Sequence, residues 1–237
     1  MDAPRYAIYF VPPANSELYR FGARVLGYDC YTGEDLGCPP DSGLDPSAWA
    51  ELTREPRTYG FHATLKAPFH LLPAFAETDL TTELRRFASI PRTLPAIAPT
   101  IQPLARFIAI VPREPSLAVD RLAADCVMAF DRFRRPLTAD ERHRRLGGGL
   151  SGRQVENLDR WGYPYVFDDF RFHMTLTGPL DAAHRESILA ALKARFAQIN
   201  GDRLLPIAQL VLLRQETSSR PFRALDRIDL TAGCADR

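Results

Sequence analysis

Residues 61–68 read FHATLKAP and residues 172–179 read FHMTLTGP. Phe, His, Thr, Leu and Pro recur without a gap at an offset of 111 residues, from His62 to His173. The stretches upstream repeat as well. RYAIYFVP from residue 5 and RFIAIVP from residue 106 both open on Arg and an aromatic residue, close on Val-Pro and lead into a helical pattern. Such internal similarity constrains the fold more than any composition does, because related segments build related units. Each half reads as strand, helix, histidine-bearing strand, helix, strands. The expected fold is α+β: two pseudo-symmetric lobes, each an antiparallel sheet with helices on its outer face, forming a central cleft. The whole chain, 1–237, is expected to be a single domain, with lobe one at about 1–103 and lobe two at about 104–237.

The local signals agree with that frame. Alternation predicts strands at 5–12, 57–72, 170–180, 204–214 and 222–230, with a strand pair over 92–111. Asn15 or Ser16 caps a helix running to about Gly27, and Asp45 with Pro46 opens a short helix inside the Gly- and Pro-rich segment 28–56. Further helices are expected at 78–90, from about Ser116 to Arg132, and from the Asp181 cap to about 198. TADE (138–141) and SGRQ (151–154) carry the spacing of a capping box, which predicts two more short helices around the glycines at 147–149.

Composition excludes several function classes. Hydrophobic residues make up 46% and charged residues 25%, the balance of a globular chain with a real core. The formal net charge of +1 argues against broad electrostatic binding to nucleic acid or acidic membranes, so any anion site must be local. No basic leader precedes the first strand and no stretch is long enough to span a bilayer, so a cytoplasmic protein with no membrane partner is expected. Cys30, Cys38, Cys126 and Cys234 are scattered without a C-x-x-C pair and read as free thiols.

A lone histidine in an apolar run is most often a satisfied core or surface residue. Two in the same setting need another explanation. Side chains alternate faces along a strand. Phe61, Ala63 and Leu65 therefore share one face, and His62, Thr64 and Lys66 the other. In the second copy Phe172, Met174 and Leu176 point to the core, while Arg171, His173, Thr175 and Thr177 point away. Two imidazoles facing each other supply a base and an acid near neutral pH. A hydroxyl two residues on can donate to an oxygen that gains charge in the transition state. This set suits in-line displacement at phosphorus, with Lys66 and Arg171 as added positive charge for substrate binding.

The tandem His62-Ala63-Thr64-Leu65 and His173-Met174-Thr175-Leu176 resembles the 2H phosphoesterase superfamily, named for two H-x-[ST]-x motifs on pseudo-symmetric lobes. The resemblance implies His62 and His173 as the catalytic pair and Thr64 and Thr175 as phosphate-binding hydroxyls. It implies opening of a cyclic phosphodiester without metal or other cofactor, the substrate a small-molecule cyclic phosphate or, less readily, an RNA end. YGFHATLKAPF (59–69) and RWGYPYVFDDFRFHMTLTGPL (160–180) resemble a longer branch described as phosphonate-metabolism proteins. That branch implies a sugar cyclic phosphate such as 5-phosphoribosyl 1,2-cyclic phosphate.

Two inserts, 28–56 and about 134–165, lie outside the duplicated framework and are expected to wall or cover the cleft. The second begins within the basic run RFRRPLTADERHRR (132–145), which reads as a solvated helix face before it reads as a phosphate clamp. His70 and His184 have no counterpart in the other half and read as structural or exposed, and His143 goes with the basic run. One rival is a metal-dependent phosphoesterase with His62 and His173 as ligands and Asp169 on the same face, although no H-x-H or H-x-x-x-H pattern supports a coordination shell. Another is an RNA-end-binding or assembly module with a 2H-like groove and no turnover.

Overall fold

The computed structural model describes residues 3–37, 39 and 45–233. Two of the four cysteines, Cys38 and Cys234, lie outside the described residues; Cys30 and Cys126 are free and buried. The elements run β1 (Arg5–Phe10), α1 (Glu17–Leu26), α2 (Pro46–Arg57), β2 (Ala63–His70), α3 (Glu77–Ser89), β3 (Ala96–Ile97), β4 (Pro99–Leu104), β5 (Phe107–Pro112) and α4 (Leu117–Phe130). They continue with α5 (Ala139–Leu146), α6 (Gly152–Trp161), β6 (Met174–Thr175), α7 (Ala182–Asn200), β7 (Leu205–Pro206), β8 (Gln209–Gln215) and β9 (Arg223–Asp229).

The capping signals act where the sequence places them. The Ser16 hydroxyl accepts from the Tyr19 amide, and Gly27, at φ 74°, closes α1 in the left-handed region that glycine enters without strain. Asp45 caps α2 with Pro46 in its first turn. Thr138 and Ser151 each form a capping box, with Glu141 and Gln154, at the starts of α5 and α6. Asp181 accepts from the His184 amide to open α7.

Seven strands form one antiparallel sheet in the order β4-β5-β6-β2-β1-β8-β9, and β3 pairs with β7 apart from it. The expectation of a separate sheet in each lobe is therefore corrected: the sheet is continuous. The two strands that begin just after His62 and His173 lie at its middle, joined by the pair Ala63–Met174. The outer strands cross over. β4, from the first half of the chain, pairs with β5 of the second, and β8 of the second half pairs with β1 of the first. Each half thus supplies a strand to the other's edge, which keeps the halves from separating as independent folding units. α4 packs on β2, while α3 packs on β8 and β9 and α7 on β4.

Two local departures from regular strand geometry shape the middle of the sheet. In β2 the register against β1 shifts between Ile8–Lys66 and Tyr9–Thr64. A bulge of this kind puts consecutive side chains out of alternation, and Leu65 and Lys66 are both buried. In the second half the strand expected over 170–180 is reduced to Met174–Thr175. The Thr177 hydroxyl accepts from the Ile108 amide at 3.0 Å and donates to the Gly178 carbonyl at 2.9 Å, while the Gly178 amide turns to the Leu52 carbonyl of α2 at 2.7 Å. A side chain takes over the ladder, and the strand ends.

The residue before the first histidine is fixed by close packing. Phe61 is fully buried, and its ring lies so close over Gly22 of α1 that an added Cβ would sit 2.2 Å from it. Adding a methyl there forces the ring or the helix to move, which costs about 1–3 kcal/mol in a packed core.

Candidate active site

Because Ala63 stands opposite Met174 in an antiparallel pair, one step along each strand sets Thr64 beside His173 and His62 beside Thr175. The pseudo-twofold centre of the sheet is also the centre of the motif pair. All four side chains line a single cavity of about 340 Å3. Tyr9, Tyr59, Phe107 and Tyr163 also stand in its wall.

The two imidazoles are oriented alike. His62 Nδ1 lies 2.9 Å from the Gly60 carbonyl and His173 Nδ1 lies 2.7 Å from the Arg171 carbonyl, the same two-residue step back in each copy. A carbonyl can only accept, so both Nδ1 atoms carry the proton and both Nε2 atoms are left for chemistry in the cavity. Gly60 adopts φ +72°, a conformation that glycine takes freely, and an added Cβ would meet Cys30 Cβ at 2.7 Å. The carbonyl that orients His62 thus depends on a glycine.

The environments differ. The His62 ring stacks on Tyr9 with centroids 3.8 Å apart and planes at 20°. Its Nε2 lies 3.1 Å from Thr64 Oγ1, and with Nδ1 protonated the neutral ring accepts from that hydroxyl. Burial, with a smaller contribution from the nearby His173 charge, lowers His62 to about 4, against the opposing pull of the Gly60 carbonyl. Burial also lowers His173, which the Arg171 carbonyl partly offsets. The only ring contact recorded for His173 among the described residues is with Phe107, tilted at 5.8 Å.

Lys66 and Arg171 are not part of this cavity, and the expectation for both is corrected. The bulge turns Lys66 to the helix side, where its ammonium donates to Asp131 Oδ1 at 2.7 Å and to the Val127 carbonyl of α4 at 3.2 Å. Arg171 precedes β6, so strand alternation does not apply to it. It is exposed, donates to the Asp168 and Phe170 carbonyls, and lines a different cavity. Thr177, expected on the polar face, does reach the cavity wall, with its hydroxyl committed to backbone. Asp169, the acidic residue of the metal reading, is held by Arg153 at 2.7 Å and by Gln154 at 3.1 Å. Among the described residues no group of three or more His, Cys, Asp or Glu is placed to hold a metal ion.

The aromatic wall escaped sequence reasoning. Tyr9 was legible in principle: it lies opposite Thr64 in the β1–β2 register, but that register passes through a bulge that no pattern announces. Tyr163 and Glu55 come from the two inserts, so both inserts contribute to the wall.

A family model described as "Protein of unknown function (DUF1045)" matches residues 64–223. The chain belongs to this family. The DUF1045 match takes in Thr64, His173, Thr175 and the whole second insert. Two curated relatives named Ribose 1,5-bisphosphate phosphokinase PhnN align with nearly all of it. The protein from Janthinobacterium sp. (strain Marseille) is 37% identical over 227 residues, 94% of this chain and 50% of its own length. That from Laribacter hongkongensis (strain HLHK9) is 35% identical over 224 residues, 92% of this chain and 50% of its own length. The DUF1045 chain therefore spans about half the length of these relatives. Among solved structures, one described as a phosphoesterase aligns over 97% of this chain and 99% of its own at 15% identity, with a TM-score of 0.44. E. coli LigT complexed with NADP+ aligns over 96% and 98% at 14% identity, also with a TM-score of 0.44. No helix among the described residues is long and apolar enough to cross a membrane.

Proposed function

We propose that this protein is a phosphodiesterase that opens a cyclic phosphodiester of a small sugar phosphate or nucleotide by acid–base catalysis, without a metal ion. The observation that carries the reading is the orientation of the two rings. His62 and His173 line one cavity, each with Nδ1 held by the carbonyl two residues before it and Nε2 left for the substrate.

In the proposed reaction, water attacks phosphorus in line with a ring oxygen. Its proton passes to the Nε2 of one histidine as the new P–O bond forms. The bond from phosphorus to the ring oxygen breaks, and that oxygen takes the Nε2 proton of the other histidine. The products are a phosphomonoester and a free hydroxyl. Thr64 and Thr175 donate to the non-bridging oxygens, Thr64 leaving His62 Nε2 to do so. We assign His62 as the base, because its burial against Tyr9 lowers it to about 4 and keeps it neutral at neutral pH. His173 is then the acid, and the negative charge of a bound phosphodiester favours its protonated form. Positioned groups of this kind are worth about 10²–10⁴-fold each.

The substrate class draws support from the relatives, whose name places their activity on a phosphorylated ribose. The support is for the substrate class alone, because this chain spans about half the length of those relatives. With the sequence resemblance to phosphonate-metabolism proteins, this favours a cyclic ribose phosphate. The test is a panel of cyclic phosphodiesters assayed by phosphorus NMR with a chelator present. Ring opening that survives chelation and is lost in His62→Ala supports the reading. Binding with no ring opening anywhere in the panel, or activity that returns only with added divalent metal, overturns it.

A further inference from the structure

The basic run at 132–145 does not lie only along a solvated face. Four of its arginines, Arg134, Arg135, Arg144 and Arg145, curl around a second cavity of about 310 Å3, where Arg5 of β1 joins them. This cavity adjoins the first: Pro68 lines both, and Gly162 on its wall precedes Tyr163 on the wall of the histidine cavity.

The carboxylates here do not match the guanidinium groups. Asp131 holds Arg134 at 2.8 Å as well as Lys66, and Glu141 holds Arg135 at 2.9 Å. Glu141 is also the only carboxylate among the described lining residues. Arg5 donates to the Gln215 side-chain oxygen at 2.7 Å, and Arg145 donates to the Gly162 carbonyl. Among the described residues Arg5, Arg144 and Arg145 form no ion pair. Arg5 and Arg145 are both partly buried, and Arg5 presses on Arg145 with like charge, adding to the effect of burial, while Glu141 opposes both. Like charges brought together inside a concave site, with too few carboxylates to match, are the arrangement that an anionic ligand completes. Guanidinium groups suit phosphate in particular, because their planar N–H forks match its oxygens.

We propose that the Arg5, Arg144 and Arg145 cavity binds a second phosphate, a monoester carried by the same substrate whose cyclic phosphodiester lies at His62 and His173. The preferred substrate then bears two phosphates, one cyclic and one terminal. This rests on the phosphodiesterase reading for its catalytic half, while anion binding by the arginines is independent of it.

Two measurements separate the parts. The first compares kcat/KM for adenosine 2′,3′-cyclic phosphate with and without a 5′-phosphate, and for ribose 1,2-cyclic phosphate with and without a 5-phosphate. In at least one pair the terminal phosphate should raise kcat/KM by about tenfold or more, the scale of one charge-assisted hydrogen bond. That ratio should fall towards one in Arg144→Ala/Arg145→Gln. The second measurement is calorimetric binding of inorganic phosphate to the full chain. Binding should persist in His62→Ala/His173→Ala and weaken by about tenfold or more in Arg144→Ala, an exposed position whose change leaves the core untouched. Equal kcat/KM within both pairs, or a preference unchanged in the arginine variant, overturns the second-phosphate proposal and leaves the phosphodiesterase reading standing. Phosphate binding that needs the arginines, with no turnover of any substrate, overturns the phosphodiesterase reading alone. Phosphate binding unchanged in Arg144→Ala and lost in the histidine variant overturns the arginine site.

Discussion

The first motif strand is eight residues long and the second is two. β2 runs for eight residues beside β1, which sets Tyr9 across from Thr64 and lays that ring on His62. In the second half the residue across from Thr175 is Ala109, so no ring covers His173 in the same way. The i−2 carbonyl contact and the shared cavity are common to both copies, whereas the stacking partner, the strand length and the bulge are not. What the copies share is the orientation of a titratable nitrogen. Burial lowers both rings and a backbone carbonyl opposes it in both, but the stacked tyrosine and the threonine bond belong to His62 alone of the two. Two copies of one motif can in this way serve two different steps of one reaction.

The comparison can be broken most forcefully at the histidines. His62→Ala and His173→Ala should each lower turnover of a cyclic phosphodiester by about 10²–10⁴-fold with the fold intact by circular dichroism. If one of them leaves turnover unchanged, the copies are not both catalytic. A second effect falls on stability. Lys66→Met takes one charge-assisted hydrogen bond from the Asp131 carboxylate, which keeps Arg134, and such a loss costs about 1.5–3 kcal/mol. Urea denaturation should show that loss, while kcat/KM stays within a few-fold of wild type because Lys66 does not line the cavity. Thr64→Val and Thr175→Val should each raise the barrier by at most about 2.7–4 kcal/mol. Only Thr64→Val should also shift the pH profile, since Thr64 alone is bonded to an imidazole.

The enclosure of His62 has a pH signature. Its folded value, about 4, lies below its ordinary 6.5, so between those values the unfolded chain takes up a proton that the folded chain refuses. Stability from this group is therefore complete above about pH 6.5 and falls as the pH drops towards 4, by roughly 3 kcal/mol at most. Denaturation at pH 7 and pH 4.5 should show a smaller loss in His62→Gln than in wild type. Equal losses would mean that His62 is not the enclosed ring. The smallest effect belongs to Arg171→Ala. An exposed side chain bonded only to nearby carbonyls should change stability by no more than about 0.5 kcal/mol and leave turnover near wild type.

The duplication, the caps and the four motif residues could be read from sequence because each is a local pattern: a repeat, a Ser or Thr before a helix, a strict alternation. The errors came where the structure departs from alternation. Lys66 was assigned to the wrong face because a bulge inserts one step into β2, and a bulge is set by pairing with β1 and not by β2's own residues. For Arg171 the alternation does not apply because β6 is only Met174–Thr175 and Arg171 stands before it, bonded to the Asp168 and Phe170 carbonyls. The continuous sheet is set by the pairing of β2 with β6 at Ala63–Met174, a contact between segments far apart in the chain that no local signal carries. The basic run was read as a solvated face because its charges are sequential, whereas its cavity depends on Arg5, which is far away along the chain.

The most direct test is a double-mutant cycle on a cyclic phosphodiester in the presence of a chelator, with wild type, His62→Ala, His173→Ala and the double variant measured together. If the two Nε2 atoms act on one phosphate in one step, the double variant should lose little more than the worse single variant, because groups that work as a unit are strongly non-additive. Losses that multiply would mean that the histidines act independently. Wild-type turnover in the double variant would mean that the cavity at the centre of the sheet is not where the reaction takes place.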